Sequence, residues 1–355
     1  MKKDSMKMLL GGIIIGFIGV LLQKFGNPGN MGICIACFLR DIAGALNLHQ
    51  AAVVQYIRPE IIGIVFGAFF SSIISNDFKS RGGSNPLIRF IFGMIMMIGA
   101  LVFLGCPLRL ILRLSAGDLN ALIGLFGFIF GIFVGVILLK KGFSLGKSQE
   151  QSNIAGFIMP IFATILLIFI LIKPEFISFS KEGPGANHAP VIYSLIGGII
   201  VGIILQRTRI CSVAAFRDVI LIKNYHYLIG ILGIFIGAFG LNLILNYNSL
   251  NFGFENQPIA HNDHLWNFLS LSLVGLTGSL LGGCPIRQII LSSDGDNDAA
   301  ITVMGLIFAA ALSHNFKLAS SAEGSTMNGQ IAVILCLIFV LTFALTIINK
   351  NNKKI

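Results

Sequence analysis

Apolar runs of near bilayer-spanning length recur about ten times along this chain, and little sequence remains for anything outside a membrane. A spanning helix needs roughly 20 mostly apolar residues. The runs lie near 8–25, 59–75, 86–104, 118–139, 153–172, 190–205, 226–246, 265–281, 296–314 and 329–348. Only 11% of the 355 residues are charged, against about 25% in soluble domains. The 41 glycines suit closely packed membrane helices. These features exclude a soluble globular enzyme and a disordered chain. Six cysteines are too few for a secreted disulfide scaffold. The net charge of +10 reads as basic loops held on the cytoplasmic side, with no nucleic-acid partner. The expected fold is all-α, a polytopic integral membrane protein with 9–10 transmembrane helices in one domain across residues 1–355.

Two runs, Met8–Leu22 and Val191–Leu205, hold only about 15 residues each, which predicts helices that stop inside the bilayer at a break. The N-terminus resembles a signal peptide, with Lys2, Lys3 and Lys7 before an apolar run, but no small-residue cleavage site follows. Its motif Gly11-Gly12-Ile13-Ile14-Ile15-Gly16 recurs as Gly197-Gly198-Ile199-Ile200-Val201-Gly202. A repeated element belongs to the fold.

Lysine and arginine set the orientation. Lys2, Lys3 and Lys7 place the N-terminus in the cytoplasm, and Lys350, Lys353 and Lys354 place the C-terminus there. Lys79, Arg81 and Arg89 hold the 76–89 loop inside, as Lys140, Lys141 and Lys147 hold 140–150 and Arg207, Arg209, Arg217 and Lys223 hold 206–224. The 247–263 loop has no lysine or arginine and falls outside, as does 173–190 with its balanced charges. Ten alternating spans in the cell (inner) membrane satisfy these assignments. Arg109 and Arg113 fall on the outer side, where a re-entrant segment accommodates them.

The chain is internally duplicated. Residues 105–121, beginning Gly105-Cys106-Pro107-Leu108-Arg109, align without gaps to 283–299, beginning Gly283-Cys284-Pro285-Ile286-Arg287, with nine of 17 positions identical. Upstream, Ile33-Cys34 matches Ile210-Cys211, and Arg40-Asp41 matches Arg217-Asp218. Repeat one covers about 8–140 and repeat two about 190–314, with a linking helix near 153–172 and an extra C-terminal helix near 329–348. Five spans separate the starts of the halves. An odd number predicts two inverted structural repeats, the design of many transporters, with substrate sites where broken helices meet.

The motifs suggest what those breaks do. Proline favours the first position of a helix, so Pro107 and Pro285 predict N-caps at Cys106 and Cys284. Free N–H groups at a helix start attract anions, and Arg109 and Arg287 lie one turn on. Four of the six cysteines occupy equivalent places beside a break and a charge, which points to a substrate path. Cys37, three residues after Cys34, shares its face and could form a redox or metal pair with it. Arg40-Asp41 and Arg217-Asp218 read either as internal ion pairs or as path residues. Gly117-Asp118 and Gly295-Asp296 read as turns that cap the following helices. His261 and His264 lack a third ligand, and Cys336 reads as packing within the last span. There is no nucleotide-binding motif, so neither ATP nor any other cofactor is expected.

The run Asn27-Pro28-Gly29-Asn30-Met31-Gly32-Ile33-Cys34-Ile35-Ala36-Cys37-Phe38-Leu39-Arg40-Asp41-Ile42-Ala43-Gly44-Ala45, together with the paired Gly-Cys-Pro motifs, resembles the YeeE/YedE family of thiosulfate and sulfur-compound transporters. That run is most similar to the YedE branch associated with selenium transport. The resemblance extends over nearly the whole chain. It implies an hourglass-shaped transporter and no enzymatic activity. In it Cys34, Cys106 and Cys284 would pass a small inorganic anion through S–H···S contacts, with Cys211 as the repeat-related fourth. It also implies a TusA-like cytosolic sulfur-carrier partner. Cys37 is extra to the thiosulfate pattern, which leaves open whether the cargo is thiosulfate, a selenium compound or another sulfur anion. Two other readings stand beside this one. The first is a soft-metal transporter, for which the chain lacks a Met-rich or His-rich entry. The second is a membrane-embedded thiol redox protein using Cys34 and Cys37, although Cys37 has only Ala214 as its counterpart in the repeat.

Overall fold

The computed structural model describes residues 3–247 and 250–352. Lys2, Lys353, Lys354 and the loop residues 248–249 therefore lie outside the described residues. The helices are α1 (Lys3–Lys24), α2 (Ile35–Ala45), α3 (Pro59–Ile74), α4 (Pro86–Val102), α5 (Pro107–Ser115), α6 (Leu119–Lys140), α7 (Ile158–Ile172), α8 (Gly183–Ala186), α9 (Val191–Thr208), α10 (Ser212–Ile222), α11 (His226–Leu245), α12 (His264–Leu281), α13 (Pro285–Ser293), α14 (Asn297–Asn315) and α15 (Met327–Asn352). A 3-10 turn, Asn153–Phe157, leads into α7. Strand pairing among the described residues is confined to Arg81–Gly82 against Gln149–Glu150 and three isolated bridges. Among the described residues nine helical segments are long and apolar enough to cross a membrane, and α3 is a shorter apolar helix. The chain is an all-α, multi-pass membrane protein.

One expectation is corrected here. The helices α1 and α9 are longer than their apolar runs, and α9 ends at a break, left-handed Arg209, two residues before Cys211. They run for 22 and 18 residues, because polar residues such as Lys7 and Gln206 continue the helix beyond the apolar run. The short elements are the ones that follow the cysteines. The helices α2 and α10 have 11 residues each, and α5 and α13 have nine each.

The order α1–α6 is matched element for element by α9–α14, with α7 and α8 between them and α15 after. Their main packings exchange partners: α1 lies along α11 and α9 along α3, while α4 lies along α14 and α12 along α6. The equivalent helices α1 and α9 also touch each other, as do α4 and α12. The recurring glycine motif makes the first of these crossings. A Cβ on Gly12 or Gly16 would strike the backbone of α11 at Gly230 or Ile234. On Gly198 or Gly202 it would strike α3 at Glu60 or Ile64. Close backbone approach of this kind is how membrane helices associate where water supplies no hydrophobic drive.

The loops obey the same exchange. The 76–85 loop bridges onto Asp296, and the loop before α12 bridges through Gly253 onto Asp118. Both receiving turns have a glycine in the left-handed region, Gly117 at φ 95° and Gly295 at φ 96°. The next residues, Asp118 and Asp296, cap α6 and α14 by accepting from Asn120 N and Ala299 N, as their sequence position indicates.

Candidate functional site

Cysteine N-caps begin four short helices: Cys34 before α2, Cys106 before α5, Cys211 before α10 and Cys284 before α13. Pro107 and Pro285 occupy the first turns of their helices, because a helix start needs no N–H there. All four cysteines and Cys37 are buried, Cys336 is half-buried, and none is in a disulfide. The caps meet in pairs. In the second half the Cys211 and Cys284 sulfurs are 3.8 Å apart. In the first half Cys34 and Cys106 are side-chain neighbours. No hydrogen bond among the described residues joins one pair to the other.

Each pair sits where two helix N-termini converge. Cys106 lies beside the N–H groups of Arg109 and Ala36, and Cys284 beside those of Arg287 and Ser212. Only Cys34 closes an ordinary cap bond, accepting from Cys37 N at 3.3 Å. The converging N-termini add partial positive charge around the thiols.

The arginines differ between the halves. Arg109 is fully buried. Its guanidinium donates to the carbonyls of Asn30 (3.1 Å), Leu104, Pro258 (3.4 Å) and Ile259 (3.2 Å), and to Cys37 Sγ at 3.7 Å. Leu104 at φ 64° and Ile259 at φ 49° adopt left-handed backbone that bulky residues avoid, and both direct a carbonyl at Arg109. Arg287 has a buried Nη1 with no hydrogen-bond partner among the described residues. The connection between α9 and α10 spans only 209–211, against 25–34 between α1 and α2. The second half therefore lacks a counterpart of the segment that brings the Asn30 carbonyl to Arg109.

The paired charges are also placed. Asp41 accepts from Arg40 at 2.7 Å and from Arg58 at 2.7 Å through its Nε. Arg217 donates to Asp218 at 2.9 Å. Arg113 donates to Asp118 at 2.6 Å, both fully buried. Each of these arginines has a local carboxylate, which is the arrangement that lets a charge be buried. His261 meets the Val102 carbonyl at 2.8 Å, while His264 packs on Phe254. Among the described residues no three His, Cys, Asp or Glu side chains gather as metal ligands.

Sequence reasoning passed over three buried groups. Arg58 is the second cation on Asp41 and also donates to the Pro184 and Asn187 carbonyls. Glu60 accepts from Asn27 at 2.7 Å and Ser194 at 2.9 Å. Asp294 ends α13 with an unpartnered Oδ1. Two left a signal in the sequence: Asp294 replaces Ala116 in an otherwise well-matched repeat, and Glu60 is a carboxylate inside the apolar run 59–75.

Fold and site together define a multi-pass α-helical membrane protein with two buried thiol pairs at helix N-termini. The chain matches no protein-family model and no curated protein.

Proposed function

We propose that the chain is a membrane permease for a small sulfur- or selenium-containing anion, in keeping with its resemblance to the YeeE/YedE family. The observation that carries this reading is the second-half site: two thiols 3.8 Å apart at converging helix starts, beside a guanidinium with an unpartnered nitrogen. Helix N-termini and Arg287 attract the charge of the anion. Neutral thiols donate weak hydrogen bonds to its soft terminal atom. Several weak sites let an anion leave as readily as it enters. Cys34, Cys106 and Arg109 form the repeat-related station, covered in this conformation by the 258–259 carbonyls. Cys37, Arg40, Asp41, Arg217 and Asp218 border the path and hold its walls through their ion pairs. The exchanged helix packings support two halves inverted in the bilayer, with both termini cytoplasmic. A TusA-like sulfur carrier in the cytosol is the proposed receiver.

The test is uptake of radiolabelled thiosulfate and selenite, side by side, in a host lacking its own importers. Cys284→Ala and Cys106→Ala are expected to abolish uptake at equal membrane levels. Wild-type rates in these variants would exclude the reading.

A further inference from the structure

The helix α13 carries a line of polar groups from the thiol pair to its far end. Cys284 caps its start, Arg287 follows three residues later, and Asp294 ends it as the C-cap. Seven residues separate Arg287 from Asp294, two turns of helix, so both lie on one face. Asp294 is 8% exposed, and its Oδ1 has no partner among the described residues. It sits at the negative pole of α13, where a carboxylate is disfavoured. Arg287 faces it from its own helix, Arg81 and Asp77 from the α3–α4 loop, and Arg209 from the end of α9. Two of those cations have acids of their own: Arg81 holds Asp296 at 3.0 Å, and Arg209 lies 4.0 Å from Asp77. Asp298, in the first turn of α14, accepts from Ser84. The segment 153–172, which packs against α13, carries no charged residue. Burial outweighs the cations and pushes the Asp294 carboxyl up to about 7.

A groove of about 820 Å³ is lined by Lys7, Asp77, Arg207, Arg209 and His226 among others. Its Asp77 and Arg209 are the same groups that face Asp294. Asp41 and Asp218, the carboxylates of the two Arg-Asp pairs, are both taken by arginines.

We propose that Asp294 is a proton-binding site coupled to anion binding at Arg287, so that the permease carries a proton with its anion. This rests on the permease reading above. A proton added to Asp294 removes the negative charge that competes with an anion for Arg287. The anion then binds more tightly, and by linkage the bound anion strengthens proton binding by the same factor. One proton enters on Asp294 and one anion on Arg287, and both leave together, with no covalent bond formed or broken. An anion entering a cell with a negative interior moves uphill electrically, and the proton offsets part of that charge.

The experiment uses the full-length protein in proteoliposomes, wild type and Asp294→Asn. Infrared spectra across neutral pH should contain a protonated-carboxyl band that is lost as pH rises and is missing from the variant. Wild-type thiosulfate or selenite affinity should tighten about tenfold from alkaline to acid pH, and the variant should lose that dependence. Absence of the band, or an unchanged pH dependence in the variant, overturns the proposal. A wild type that shows the band yet binds neither anion at any pH overturns the permease reading and upholds the proton site.

Discussion

Arg109 and Arg287 occupy the same place in the two halves, yet only Arg109 is enclosed. Four carbonyls from three separate segments converge on its guanidinium, while Arg287 keeps a buried nitrogen without a partner among the described residues. A duplicated element has thus been given two tasks. Arg109 ties two loops of the first half to the α11–α12 loop of the second, and Arg287 leaves its charge available.

Substituting each arginine by glutamine should separate the two tasks. Arg109→Gln strands several buried carbonyls, each costing about 1–3 kcal/mol. A loss of about 3 kcal/mol or more is expected in unfolding of the detergent-solubilised protein. Arg287→Gln should change stability by less than about 1 kcal/mol. It should weaken anion binding roughly ten- to a hundredfold, the worth of a hydrogen bond to a charged group. Equal stability losses in the two variants would contradict the asymmetry.

The two Gly-Asp turns provide a second contrast. Asp118 is fully buried against Arg113, whereas Asp296 meets Arg81 at a partly exposed site. Asp118→Ala leaves a buried guanidinium uncompensated and should cost about 3–5 kcal/mol. Asp296→Ala loses a helix cap and a weak pair, about 1–2 kcal/mol. Thermal unfolding of the two variants in one detergent measures the difference.

Glycine substitutions should follow the crossings. Gly12→Leu and Gly198→Leu drive a side chain into backbone and should lower stability by about 1–3 kcal/mol or more, seen as loss of monodisperse protein. Gly240, in α11, has nothing near its absent Cβ. Gly240→Ala should be neutral or stabilising by up to about 1 kcal/mol.

Much of this architecture was legible in the sequence because a bilayer imposes simple rules. Run length marks the spans, proline and glycine mark the breaks, and the repeat aligns one half with the other. The caps at Cys106 and Cys284, the two Gly-Asp turns and the Arg40-Asp41 and Arg217-Asp218 pairs follow from local order alone, whereas the caps at Cys34 and Cys211 have no proline to announce them. The enclosure of Arg109 does not, because Pro258 and Ile259 lie about 150 residues away and only their backbone carbonyls accept from it. Nor does the strained turn at Leu104, whose repeat counterpart is Gly282 at φ 84°. Arg58 was hidden for a similar reason: it reads as the end of a loop until folding brings it onto Asp41. The helices α1 and α9 outrun their apolar stretches because an apolar run measures hydrophobicity, whereas a helix continues through any residue that keeps its hydrogen bonds.

The central claim is that buried thiols at helix starts carry a soft anion across the membrane. Cysteine-dependent uptake tests it most directly, with thiosulfate and selenite offered to cells lacking their own importers. The account predicts accumulation of at least one anion by the wild type and none in Cys284→Ala at equal membrane levels. Uptake in Cys284→Ala and Cys106→Ala matching the wild type would contradict it.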